Sequence, residues 1–280
     1  SEDVLWRFFS TGLDRRTASN NVYRITAGMY RQMPWLFHGG AVSYGVESLA
    51  REFKRRGMHM ENQSASHWVG QSATLFRDFG GDPIRLLKAC GGTVEGVLAM
   101  KKFWKSTGRY PWSKVPLAKQ KNLFQFGDPL PGYGPKITSL FMLFLAEIKK
   151  FKMPDDAFAV DLHVQRIFLQ YGAITVNGNV DSSDMEKVLR PFICTICRIY
   201  KLNKVHLAHA LWQLGSKLCK KCHVAKYVPL QCAIAKSCSG PILTDSYHRP
   251  EGQERGWSHP LIFKSKGHKR IFKLQKGNLM

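Results

Sequence analysis

At Val46, Leu49, Ala50 and Phe53 apolar residues recur at i, i+3, i+4 and i+7, with Arg51, Lys54, Arg55 and Arg56 on the other faces. This spacing predicts an amphipathic helix, which Gly57 ends. The same period returns at Val164, Ile167, Phe168 and Tyr171, just after Asp161, and in the stripe Leu207, Leu211, Leu214 and Leu218, which runs into Cys219. Residues 137–151 read as a long apolar helix, and Ser183 and Glu186 have the spacing of a capping box for another. Residues 60–100 alternate helical patches with the pairs Gly80-Gly81 and Gly91-Gly92, and Asp82-Pro83 marks a turn or helix start. The first forty residues mix Trp6, Phe8, Phe9, Trp35 and Phe37 with basic residues and show no clean period. Strand-like alternation is scarce and no repeat is visible, so the expected fold is all-α.

Composition narrows the class of function. At 280 residues the chain has room for one or two domains of roughly 150 residues, and 44% hydrophobic with 22% charged residues is an ordinary globular balance. Lys and Arg number 42 against 20 Asp and Glu, a net charge of +22. That excess favours a polyanionic partner, nucleic acid first and an acidic membrane second. No run approaches the roughly 18 apolar residues of a membrane helix, and SEDVLWRFF at the start carries no secretion signal. The expectation is an intracellular protein that does not enter a membrane.

Six of the seven cysteines lie between residues 194 and 238. Cys219, Cys222, Cys232 and Cys238 form C-x2-C-x9-C-x5-C, four soft thiolate ligands suited to Zn²⁺ or a [4Fe–4S] cluster. Lys217, Lys220, Lys221, Lys226 and Lys236 surround them. Cys194 and Cys197, in the apolar PFICTICRIY, read as buried small residues, as does Cys90.

Residues 127–136, GDPLPGYGPK, hold three prolines and three glycines and must turn. Gly132 and Gly134 permit positive φ and close approach of another backbone, and a helix N-terminus follows, a geometry that offers amides to phosphate oxygens. LPGYGPK resembles the L-P-G-x-G-x-K hairpin of the helix-hairpin-helix DNA glycosylases, and AVDLHVQR, residues 159–166, is similar to their V-D-x-H-V-x-R signature. HALWQLGSKLC, residues 209–219, resembles the helix that ends in the first cluster cysteine of the endonuclease III and MutY branches.

The resemblance implies a two-lobed helical glycosylase fold. Residues 41–157 would form a helical lobe ending in the hairpin, 158–240 a cluster-bearing lobe packed with the segment 1–40, and 241–280 a basic tail. It implies a [4Fe–4S] cluster on the four cysteines, zinc being the other option. Its partner would be double-stranded DNA with a damaged or mismatched base, engaged by a monomer. The hairpin, with Gly132, Tyr133 and Gly134, would hold the DNA backbone. Lys136 falls on the nucleophile of the bifunctional members and Asp161 on the aspartate beside the target sugar. Asn62 and Gln63 match by position the residues that fill the gap left by a flipped base, and His163 belongs to the second signature.

These residue types suit the chemistry. Cleavage of an N-glycosidic bond develops positive charge on the sugar, which a fixed carboxylate at Asp161 stabilises more in the transition state than in the ground state. A free amine at Lys136 would attack the sugar carbon and give a Schiff base, with strand cleavage by β-elimination to follow. The base must first be flipped out of the stack, at a cost of a few kcal/mol. Plainer roles stand beside these: Asp161 as a helix cap, Lys136 as a phosphate contact, Asn62 and Gln63 as polar loop residues, and His67, Trp68 and His163 as structural side chains. The interval from Lys136 to Asp161 is 25 residues, longer than is usual in that family, and Gly127-Asp128-Pro129 interrupts the helix that would lead into the hairpin.

Overall fold

A computed structural model describes residues 2–14, 19–107, 128–170, 173–177 and 180–219, together with the strands Ile262–Phe263 and Ile271–Leu274. The chain is mostly helical and divides into two compact units, Ser1–Ala157 and Phe158–Met280.

In the first unit, α1 (Glu2–Gly12) and α2 (Ser19–Gln32) are followed by a 3-10 turn (Pro34–His38), a short α3 (Ala41–Tyr44), α4 (Val46–Arg55) and α5 (Glu61–Phe79). Then come α6 (Pro83–Ala89), α7 (Val94–Thr107) and, after the hairpin, α8 (Pro135–Glu147). The expected helix at 46–55 is present, and Gly57 follows it with φ +75°. Asp82 caps α6 by accepting from the Ile84 amide at 2.8 Å, with Pro83 at the first helical position.

The first forty residues, expected with the cluster-bearing part, belong to the core of the first unit. Val4, Leu5, Phe8 and Phe9 recur at helical spacing and are buried along α1, which packs against α5 and α8. Phe9 stacks on Trp68 with ring centroids 5.1 Å apart, and Phe37 meets Trp68 edge-on at 4.8 Å. Each such ring, fully buried, contributes on the order of 2 kcal/mol. Trp68 is therefore a core residue.

The second unit contains α9 (Leu162–Gln170), α10 (Ser182–Ile199) and α11 (Lys204–Gln213), the last continuing into a π-helical segment (Leu214–Cys219). Two short antiparallel ribbons accompany them: β1 (Ile174–Asn177) pairs with β4 (Ile271–Leu274), and β2 (Val180–Asp181) with β3 (Ile262–Phe263). Met185, Leu189, Ile193, Cys194 and Cys197 form the buried face of α10. Helix α10 begins at Ser182, one residue before the Ser183 of the expected capping box, and Glu186, one turn in, is buried and accepts from Arg190 Nε at 2.8 Å. Cys194, Cys197 and Cys90 are buried thiols that form no disulfide, and burial pushes the Cys90 pKa up to about 12.

Among the described residues no helix is long and apolar enough to cross a membrane.

Candidate functional site

The hairpin is built by an unusual density of polar contacts from the helices around it. Asp128 Oδ1 accepts from the Leu130 amide at 2.9 Å, an Asx turn at the entry to the hairpin; the residues before it, 108–127, lie outside the described residues. Thr74 on α5 donates to the Pro129 carbonyl, and Gln71 Nε2 donates to the Pro131 carbonyl at 2.7 Å. From α7, Lys101 Nζ donates to the carbonyls of Leu130 and Tyr133 at 2.7 and 2.5 Å and pairs with Asp128 at 3.0 Å. The turn closes with Tyr133 N–H on Leu130 O at 3.1 Å and Gly134 N–H on Gly132 O at 3.0 Å.

The two hairpin glycines have different reasons to be glycine. Gly132 has φ +90°, and a Cβ there would lie 2.7 Å from the Gly12 carbonyl oxygen and 3.3 Å from both Gln71 Nε2 and His67 Nδ1. It is buried against α1 and α5, so the fold itself excludes a side chain. Gly134 has φ −95°, a conformation open to any residue, and a Cβ there would meet nothing within 4 Å. The fold makes no demand for glycine at this position.

Tyr133, expected at the DNA backbone, presents almost no side chain to solvent. It is 2% exposed, stacks on Phe8 at 5.0 Å, meets Phe141 edge-on at 6.0 Å, and donates its hydroxyl to the Phe8 carbonyl at 2.7 Å. Burial raises its pKa well above the usual tyrosine value, with Tyr23 adding to the effect. Its side chain ties the hairpin to α1. What the hairpin offers outward is the stretch Gly134–Lys136, which is half-buried where Pro131–Tyr133 is buried.

Gly134 stands at the N-cap of α8 with no side-chain hydrogen bond, and Pro135 fills the first helical position. The amides of Lys136 and Ile137 belong to the first turn and have no intrahelical acceptor. Lys136 is half-buried at this end of the helix. The arrangement collects amide hydrogens that meet no acceptor among the described residues, the positive end of a helix dipole and an ammonium, a combination suited to an anion.

In the second unit, Asp161 immediately precedes α9, where its Oδ1 accepts from the Val164 amide at 2.9 Å and its own carbonyl accepts from Gln165 N–H. Asp161 is half-buried. The carboxylate is thus fixed in direction by the helix it caps. His163 lies in the first turn of α9 and packs onto the π-helical segment: a Cβ at Gly215 would come 2.5 Å from His163 Cβ. Gly215 is therefore what allows the aspartate-bearing helix to seat against the rod that leads to Cys219. A π-helical turn is a rare device, concentrated at functional sites.

Asn62 and Gln63 lie in the first turn of α5 and are exposed, whereas His67, four residues beyond Gln63, is buried beneath Gly132. Sequence reasoning placed Lys101 only in a basic stretch and gave Gln71 and Thr74 no role. Their small and polar neighbours Ser64, Ser66 and Ser72, all buried on α5, were the available signal for a helix that packs against backbone rather than against side chains. Of the expected metal ligands, Cys219 ends the π-helical segment, and Cys222, Cys232 and Cys238 lie outside the described residues. Among the described residues no group of three or more His, Cys, Asp or Glu side chains is placed to hold a metal ion.

Compared with protein-family models and with curated proteins, the chain matches none, so the reading of its function rests on the residues and geometry above.

Proposed function

We propose that the chain is a DNA glycosylase of base-excision repair with an associated lyase step, built on the two-lobed helix-hairpin-helix fold. The observation that carries the reading is the start of α8, where a glycine the fold does not require leads into uncapped amides with a lysine in the first turn. A strand of DNA is the partner that such a start, on a chain of net charge +22, accommodates best. Gly134 and the amides after it hold a backbone phosphate, and Asn62 and Gln63, exposed at the head of α5, are the candidates to enter the duplex.

Asp161 supplies the carboxylate that stabilises the developing sugar cation. Because one oxygen already accepts from Val164, its direction is set before substrate arrives, which is the condition for electrostatic preorganisation. Lys136, once deprotonated, forms a carbon–nitrogen bond to the sugar as the base leaves with its electron pair. The resulting Schiff base permits β-elimination of the 3′ phosphate. Cys219, Cys222, Cys232 and Cys238 are four thiolate donors, a set that fits a [4Fe–4S] cluster, with zinc as the other option; the group would pin the lysine-rich loop between them.

The cap bond of Asp161 favours one second reading, a DNA-binding module without catalysis in which Asp161 only starts α9. A borohydride trapping experiment separates the two. Duplexes bearing oxidised, deaminated or alkylated bases, or an abasic site, are incubated with the protein and reduced. A covalent adduct that disappears in Lys136→Ala is the expected result, and the lesion trapped best names the substrate class. Base release without an adduct, revealed by alkali, would mean a monofunctional glycosylase in which Lys136 contacts DNA. Neither signal on any lesion, with duplex binding intact, would establish the binding module.

A further inference from the structure

Helix α7 brings a part-buried cation to the hairpin. The Lys101 side chain is 13% exposed, and among the described residues three oxygen acceptors meet its ammonium: Leu130 O at 2.7 Å, Tyr133 O at 2.5 Å and Asp128 Oδ2 at 3.0 Å. An ammonium has three N–H bonds and no acceptor, so it can donate to all three of these oxygens at once. The neighbouring Lys102 is exposed. We propose that Lys101 is the positioning residue of the hairpin, its ammonium drawing two carbonyls and a carboxylate of the turn to one point and thereby fixing the backbone that leads into Gly134 and Lys136. The inference rests on the reading that this hairpin grips DNA.

The geometry explains how the effect is transmitted. Tyr133 C=O and Gly134 N–H belong to one planar peptide, so holding the carbonyl sets the plane from which α8 begins. Asp128 completes a closed circuit: its second oxygen accepts from the amide of Leu130, whose own carbonyl is held by Lys101. Without the ammonium, three oxygen atoms with partial or full negative charge would face one another in a largely buried space, and the turn would have to open. A guanidinium does not substitute, because its planar fork cannot direct three bonds to a single point. The two other sides of the turn are held by Gln71 and by the Tyr133 hydroxyl, so the loss of Lys101 loosens the hairpin's exit and leaves its attachment to α1 and α5 in place.

The test compares wild type with Lys101→Ala for affinity to an undamaged fluorescent duplex and for amide hydrogen exchange across residues 128–138. The expected result is an affinity at least tenfold weaker, with faster exchange in that segment. Added propylammonium should restore both, and tetramethylammonium, which has no N–H bond, should restore neither. An affinity within twofold of wild type, or an equal response to the two cations, would overturn the proposal. Should Lys101→Ala not fold, Asp128→Asn removes the charged partner alone. A threefold or greater loss of affinity is then expected, and no loss would overturn the inference. Failure of the wild-type protein to bind any duplex would instead overturn the functional reading, and the inference with it.

Discussion

Helices α8 and α9 begin in opposite ways. Helix α9 is opened by Asp161, whose carboxylate satisfies the Val164 amide, the conventional solution for a helix start. Helix α8 is opened by Gly134, which offers no side chain, and its first-turn amides are left to whatever approaches from outside. One helix carries an acceptor for its first turn in its own sequence, and the other starts on a residue with no side chain to supply one. The difference teaches where function is to be sought at each end: at α8 in the backbone that the cap leaves unpaired, and at α9 in the carboxylate oxygen that the cap does not use.

The sharpest way to break this comparison is Asp161→Asn. Asparagine caps helices about as well as aspartate, so stability should stay within about 0.5 kcal/mol, read as an unchanged thermal midpoint. On the proposed function the substitution removes the negative charge beside the sugar, and single-turnover base release should fall roughly 10²- to 10³-fold, the usual effect of losing one preorganised electrostatic group. Asp161→Ala should add a loss of about 1 kcal/mol in stability through the missing cap. Unchanged base release in Asp161→Asn would reduce the residue to its capping role.

Gly132→Ala should give the largest effect on stability. The new methyl would face the Gly12 carbonyl at 2.7 Å with φ at +90°, so strain and collision combine. A loss of about 2 kcal/mol or more is expected in denaturant unfolding. A variant as stable as wild type would mean that the hairpin is not seated against α1 as described.

Tyr133→Phe probes the same anchor more gently. Deleting the hydroxyl leaves the Phe8 carbonyl buried without that donor, at a cost of about 1–2 kcal/mol. The tyrosine also predicts a pH dependence. Its folded pKa is raised by burial, so the unfolded chain gives up the proton first, at a pH of about 10. Below that pH the contribution to stability is complete, and it is lost as pH climbs from there toward the raised folded value. Tyr23, raised by burial and by Asp14, has the same sign. The unfolding free energy of wild type should therefore fall more steeply above pH 10 than that of Tyr133→Phe.

Much of this architecture could be read from the chain because it rests on local rules. The period at Val46 to Phe53, the Asp82-Pro83 start and the buried thiols of α10 follow from spacing and capping chemistry that neighbours do not change. The hairpin was legible as a turn. Its interior was not, because the contacts that shape it come from far along the chain: Gln71 is sixty residues from Pro131, and Phe8 is 125 from Tyr133. Of the aromatic residues without an evident period near the start, Phe8 and Phe9 belong to one face of α1, since Val4, Leu5, Phe8 and Phe9 are regular once Trp6 is set aside. The burial of the Tyr133 side chain was hidden for the same reason: a tyrosine in a Gly/Pro turn resembles an exposed contact until its partner helix is known. Lys101 gave no signal at all, because a lysine in a basic stretch looks like surface wherever it points.

The finest test exploits the two hairpin glycines. At Gly134 an alanine would adopt φ −95° without strain and meet nothing within 4 Å, so folding stability should change by no more than about 0.5 kcal/mol. A methyl group there would still stand in front of the first-turn amides of α8, where the proposed function brings a phosphate close. Affinity for undamaged duplex should therefore drop several-fold in a protein that unfolds like wild type. Gly132→Ala should do the reverse, losing stability while the molecules that remain folded bind as before. If Gly134→Ala binds duplex with wild-type affinity, no backbone approaches that glycine, and the open start of α8 is a feature of the fold with no ligand. If the loss appears, the glycine is explained by its partner, since nothing inside the protein requires it.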